Sequence, residues 1–159
     1  MKISAIIMAS GMSERMGQNK LLLELKGKKL YEWTFDLMEE IDFHEVILVS
    51  SYDEILEDAK KRGFKAIYND KNEVGKSSSI KLGVNNTDKD CAMMFFVSDQ
   101  PLLKAETVKK LIEAYEKNQA ITYPRTEKRR GAPVIFPPKY REALLGLKYD
   151  EGGMILVKD

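Results

Sequence analysis

The sequence predicts an α/β fold: a doubly wound, mainly parallel sheet with helices on both faces. Two observations carry this. Short apolar runs recur along the chain, and stretches with helical spacing alternate with them. The runs are continuous rather than alternating in polarity, the pattern of strands buried on both faces. Right-handed crossovers between such strands place helices on both sides of the sheet.

In chain order, "ISAIIMA" (3–9), "EVILVS" (45–50), "KAIYN" (65–69), "CAMMFFV" (91–97) and "AITYP" (120–124) are predicted strands. Residues 30–41, 53–62, 76–86 and 104–118 are predicted helices; in the last of these Val108, Leu111, Ile112 and Tyr115 share one face. "RTEKRRGAPVIFPP" (125–138) interrupts the alternation. Its charged loop leads into one more strand at 133–136, either an excursion beside a binding face or a hairpin. No repeat, low-complexity stretch or long linker divides the 159 residues, so one domain is expected.

Lys plus Arg is 26 and Asp plus Glu is 25, a net charge of +1. That balance gives no reason to expect nucleic acid or an anionic membrane as a partner. Any anion site must be local. The only cysteine, Cys91, excludes an internal disulfide framework and fits a reducing compartment. No stretch is as long as a membrane span, and the first apolar run lacks the flanks of a signal peptide. A cytoplasmic location is the expectation.

In an open α/β sheet, ligands lie beyond the carboxyl ends of the strands. Two unusual loops fall there, 10–20 after the first strand and 98–103 after "CAMMFFV". The first lies in "MASGMSERMGQNKLLLEL" (8–25). Gly11 and Gly17 allow backbone amides to turn inward, Arg15 offers a planar fork and Lys20 a mobile point charge. The pattern serves equally as a polar strand-to-helix turn or as a triphosphate cradle. It is not GxGxxG, because Ser13 occupies the second glycine position. It is not a Walker loop, because five residues separate the glycines and Gln18 follows the second. "DKNEVGKS" (70–77) also fails as a Walker loop, with Asp70 where its first glycine belongs.

"MASGMSERMGQNKLLLELKGKKL" resembles the N-terminal signature of nucleotidyltransferases that act on the molybdenum cofactor, approximately LAAGxSxRMGxxKLLLxxxGxxL. Ala9, Gly11, Ser13, Arg15, Met16, Gly17, Lys20, Leu21 and Leu22 match; Ser10 replaces the usual second alanine, and Asn19 stands where many relatives have proline. The resemblance continues in family order through "GKSSSIKLGV" (75–84), "SDQPLL" (98–103), "GAPVIFPPKY" (131–140) and "DEGG" (150–153). It covers nearly the whole chain as one NTP-transferase-like domain, 1–159.

The resemblance implies that Ala9, Ser10, Gly11, Ser13, Arg15 and Lys20 bind the nucleotide. Gly75, Ser78 and Ser79 would line its base and ribose pocket, and Arg15, Lys20 and Asp99 would be catalytic. Asp99, in a sequence similar to the family's metal-binding "CDQP", would hold Mg2+. Read alone, Asp-x-Pro is also a common helix cap, and the serines of 77–79 a capped helix start. Gln100, Pro101, Gly131, Pro133 and Asp150 are implied on the side of the pterin-bearing acceptor. The pattern breaks near its end: Met154 occupies the usual arginine position, and relatives continue into a further strand and an acidic motif. A C-terminal part is therefore expected to be missing relative to the family.

The implied activity is transfer of CMP from CTP to the phosphate of the molybdopterin cofactor, with Mg2+ and release of diphosphate. Alternatives are guanylyl transfer from GTP to the same acceptor, or nucleotidyl transfer to a sugar phosphate. A non-catalytic nucleotide or molybdopterin carrier is the alternative of another class. A molybdenum hydroxylase apo-enzyme is the implied recipient of the product.

His44, the only histidine, is expected in a solvated turn, which argues against a histidine-based metal site or triad. Cys91 reads as a core residue rather than a nucleophile, and Met93 and Met94 as core filling. "EKRR" (127–130) reads as a solvated loop tip whose charge helps attract an anionic substrate.

Overall fold

The computed structural model describes residues 2–9, 20–70, 75–125, 131–149 and 151–157. Its elements are β1 (Ile3–Ala9), a small hairpin of β2 (Glu24–Leu25) and β3 (Lys28–Lys29), α1 (Leu30–Glu39), β4 (Glu45–Ser50), α2 (Asp53–Lys61), β5 (Lys65–Tyr68), α3 (Lys76–Asn85), β6 (Ala92–Val97), α4 (Ala105–Asn118), β7 (Val134–Phe136) and α5 (Arg141–Leu145). The five-stranded sheet has the order β5-β4-β1-β6-β7. Its first four strands are parallel, while β7 runs antiparallel to β6.

β1 shows why the apolar runs are continuous. Ile3, Ala5, Ile7 and Ala9 face a core built with Tyr31 and Phe35 of α1, Ile55 and Leu56 of α2, and Val108 and Tyr115 of α4. Ile6 faces the other way, onto Ile80 and Val84 of α3 and Leu144 of α5. Both faces are covered, as the sequence predicts.

Two expectations change. "AITYP" adds no full strand: Thr122 forms an isolated antiparallel bridge with Ile135, closed by a pair of backbone bonds of 3.0 and 2.8 Å. Gly131 N also donates to Pro124 O at 2.8 Å, so the two limbs of 121–136 form the hairpin alternative. The cause is local, because Pro124 has no N–H to extend the ladder. The β2–β3 hairpin and α5 were not predicted. The hairpin turns on Lys26 and Gly27, with φ of 54° and 82°, a two-residue turn of the type that needs left-handed backbone at both positions.

α3 crosses the sheet closely at Gly83. A Cβ there would lie 2.5 Å from Ile6 Cγ2, a branched methyl fixed in the core. On the other face, Arg62 just beyond α2 ties that helix to α1. Its Nη1 donates to Asp36 Oδ1 at 2.7 Å and to Glu39 Oε1 at 3.3 Å, and its Nε to Asp58 Oδ1 at 3.4 Å. Burial pushes the Asp36 carboxyl up, but hydrogen bonds from Lys28 and Arg62 and their charges outweigh it and hold the group below its ordinary value.

Gly83→Ala is expected to destabilise the protein by about 1–3 kcal/mol, despite the better helix propensity of alanine, because overpacking outweighs it. Urea denaturation checks this, and a stabilised variant would contradict it. A second measurement concerns pH. Because folding depresses the Asp36 carboxyl, its contribution is present above the unfolded value, about 3.9, and is lost as pH falls through the folded one. Arg62→Gln should cost about 1–3 kcal/mol at pH 7. The gap between variant and wild type should be smaller at pH ~2.5 than at pH 7, because the Asp36 carboxylate loses its charge as pH falls through its depressed folded value. An equal gap at both pH values would contradict the account.

Candidate active site

The strand order reverses between β1 and β6: the chain moves outward from β1 through β4 to β5, then returns to β6 on the other side. This is the switch point at which open α/β sheets bind ligands. Ala9 ends β1 there, and Asp99 follows β6. Ala9 is buried, and its carbonyl accepts a hydrogen bond from Ser50 Oγ at 2.8 Å. Ser98 Oγ donates to Met8 O at 3.3 Å.

Beyond these strand ends, Lys20 and Asp99 meet although 79 positions separate them. Lys20 Nζ lies 3.4 Å from Asp99 Oδ2, and the two side chains are 50% and 42% exposed. That exposure leaves both groups accessible to a ligand. Asp99 is not a helix cap: it sits in a turn, and α4 begins at Ala105 with Lys104 at the cap.

The same turn reaches the β7 hairpin. Gln100 Nε2 donates to Ala132 O at 3.3 Å, between Gly131 and Pro133, so the loop after β6 is joined to the segment expected on the acceptor side. Because Ala132 O can only accept, it sets the orientation of the amide. Gln100 Oε1 is buried and has no hydrogen-bond partner among the described residues. Pro101 follows it half-buried, and Pro133 is buried after a cis Ala132–Pro133 bond.

The third group lies on the other side of β1 and β4, at the end of β5. Gly75 is the cap of α3 with φ 122° and ψ −172°, a conformation open to glycine, and no side chain caps the helix. Asn69 Nδ2 donates to Ser78 Oγ at 3.1 Å and to Ser79 Oγ at 3.0 Å. Ser78 Oγ in turn donates to Gly75 O at 2.8 Å. Ser77 N donates to Tyr149 O at 2.9 Å, which brings the C-terminal segment against the start of α3. The serines therefore tie α3 to β5 rather than capping the helix. Asn69, buried and bridging them, is the residue that sequence reasoning missed; the signal was a polar residue ending a strand.

Ser10, Gly11, Ser13, Arg15, Asp150 and the "EKRR" segment lie outside the described residues. Among the described residues, no helix is long and apolar enough to cross a membrane.

The chain spans less than two thirds of the length of the curated relatives it matches here. It is similar to a probable molybdenum cofactor guanylyltransferase of Natranaerobius thermophilus, 32% identical over 119 residues, 74% of this chain and 57% of that protein. A second protein of that description, from Aquifex aeolicus, is 30% identical over 141 residues, 87% of this chain and 65% of its own. The fold is shared with Rv0371c of Mycobacterium tuberculosis H37Rv, with a TM-score of 0.82 at 19% identity, covering 98% of this chain and 81% of that one. The MobA-like NTP transferase domain model matches residues 5–159, and the chain belongs to that family.

Proposed function

We propose that this chain is a nucleotidyltransferase of molybdenum cofactor maturation, with guanylyl transfer from GTP its favoured reaction. The observation that carries the reading is the Lys20–Asp99 pair at the β1/β6 switch point. The names of the relatives support GTP over the CTP first expected, because both proteins described above are guanylyltransferases by name.

In this reading the loop after β1, with Arg15 and Lys20, binds the triphosphate through backbone amides and two cations. Asp99 fits a hard divalent cation: it presents an accessible carboxylate at the sheet edge, and Mg2+ takes one or two carboxylates together with phosphate oxygens. Asp99 would hold Mg2+ there, and the ion would supply positive charge opposite the leaving diphosphate. Lys20, exposed beside Asp99, would meet a phosphate oxygen of the nucleotide. An oxygen of the acceptor phosphate attacks the α-phosphorus, a new P–O bond forms, and the bond to the diphosphate breaks. The acceptor phosphate is already ionised, so no general base is needed. Positioning and electrostatics carry the catalysis. Gln100 and the Gly131–Pro133 wall face the acceptor, and Gly75, Ser78 and Ser79 the base and ribose.

The test is diphosphate release by this chain with Mg2+ and molybdopterin cofactor as acceptor. GTP is expected to support turnover at least ~10-fold better than CTP, a difference of about 1.4 kcal/mol. Asp99→Asn should lower the rate by roughly 100-fold or more, the scale of a lost metal contact in the transition state. A preference for CTP would restore the cytidylyl reading. Nucleotide binding without diphosphate release would make the chain a carrier, and an unaffected Asp99→Asn variant would remove the metal role from Asp99.

A further inference from the structure

At the opposite edge of the sheet, three side chains of different chemistry converge. His44 precedes β4, while Asp88 and Cys91 belong to the turn that leads into β6. One ligating atom from each, the imidazole nitrogen, a carboxylate oxygen and the thiol sulfur, lies within 4.8 Å of the other two. Cys91 is 1% exposed, whereas the His44 and Asp88 side chains are 30% and 47% exposed. The sulfur therefore closes the inner side of a cluster that is open to solvent through its other two members.

The backbone beneath all three is fixed. His44 N donates to Ile3 O at 2.9 Å, Ala92 N to Lys2 O at 3.2 Å, and Cys91 N to Asp88 O at 3.2 Å. Asp88 N donates to Glu45 Oε2 at 2.7 Å, and the same oxygen accepts from Ser4 Oγ at 2.7 Å. Glu45 thus braces the turn from β4. The amino ends of β1, β4 and β6 hold the cluster as a rigid frame, the kind of support on which ligating residues keep their geometry.

The plainer reading is a surface His–Asp pair above a core cysteine. Geometry and donor chemistry favour more. His44 Nε2 and Asp88 Oδ2 are 3.3 Å apart, long for a charge-assisted hydrogen bond of about 2.7–2.9 Å. It is close to the ~3.4 Å edge between nitrogen and oxygen donors of a tetrahedral zinc ion. Exposed acidic groups alone would carry nothing, but a thiol and an imidazole beside a carboxylate select zinc over magnesium. The charges also close. A dication with one thiolate, one carboxylate and a neutral imidazole sums to zero, the Cys91 thiol proton passing to solvent. Lys2, whose charge reaches both Asp88 and Cys91, works against the ion without joining the cluster.

We propose that His44 Nε2, the Asp88 carboxylate and Cys91 Sγ form a Zn2+ site, with a water molecule in the fourth position. The single histidine made such a site improbable in the sequence; the fold supplies the other two ligand types from a different segment. The site stands apart from the nucleotide reading, at the other end of β6 from Asp99, roughly 20 Å along a six-residue strand.

Titration of the metal-free protein with Co2+, followed by absorption, tests it. One equivalent should give a near-ultraviolet thiolate-to-cobalt band and the visible bands of a tetrahedral ion, and Zn2+ should bleach both. Cys91→Ser should abolish the near-ultraviolet band. His44→Asn, a surface change that leaves the core packed, should weaken Co2+ binding by roughly 10-fold or more. Asp99→Asn should leave the band intact, separating this site from the Mg2+ site. The proposal is overturned if saturating Co2+ gives no thiolate band, if the band persists in Cys91→Ser, or if it depends on Asp99.

Discussion

The carbonyl oxygens of Met8 and Ala9, the last two of β1, accept hydroxyl hydrogen bonds from Ser98, just after β6, and Ser50, at the end of β4. A buried carbonyl at a strand end has run out of ladder and is costly to leave unpaired. Hydroxyls from the flanking segments meet that need, so β1 ends at Ala9 between its two neighbours. The rest of the site depends on this ending. It sets Ser98 against Met8, so that Asp99, the next residue, stands near the end of β1, where Lys20 meets it.

The division of the sheet into two edges follows from the same parallel arrangement. Crossovers bring the chain back past the sheet between the four parallel strands, so β1, β4, β5 and β6 all carry their carboxyl-end loops at one edge. The oxygen donor and the ammonium collect there, suited to a hard cation and a polyphosphate. The amino edge holds the returning loops and shows a softer set of donors at His44, Asp88 and Cys91. A net charge of +1 leaves no global field to attract an anion, so recognition rests on placement of individual groups.

Much of this is legible in the sequence. The runs 3–9, 45–50 and 91–97 gave their strands within a residue, because a strand buried on both faces must be continuously apolar. Asp99 stood out because it follows a predicted buried strand, in a sequence similar to the family's "CDQP". "AITYP" misled because it is apolar and β-branched, while Pro124 and a single bridge to Ile135 limit its pairing. The β2–β3 hairpin is two residues per strand, too short for any periodicity to register. Asn69 was invisible as a bridge because its partners, Ser78 and Ser79, belong to the next helix. The His44–Asp88–Cys91 group escaped because 44 positions separate His44 from Asp88, and only the fold brings the two segments together. Local reading sees residue types one segment at a time, and these contacts are made by the fold.

The central claim is that nucleotide sits at the carboxyl edge of β1 and β6. Hydrogen–deuterium exchange with and without Mg2+ and GTP tests it most directly. The account predicts slowed exchange in peptides covering 8–25 and 98–103, with 42–46 and 86–92 unchanged. Protection at the amino edge, or none at 8–25 and 98–103 when GTP is bound, would contradict it.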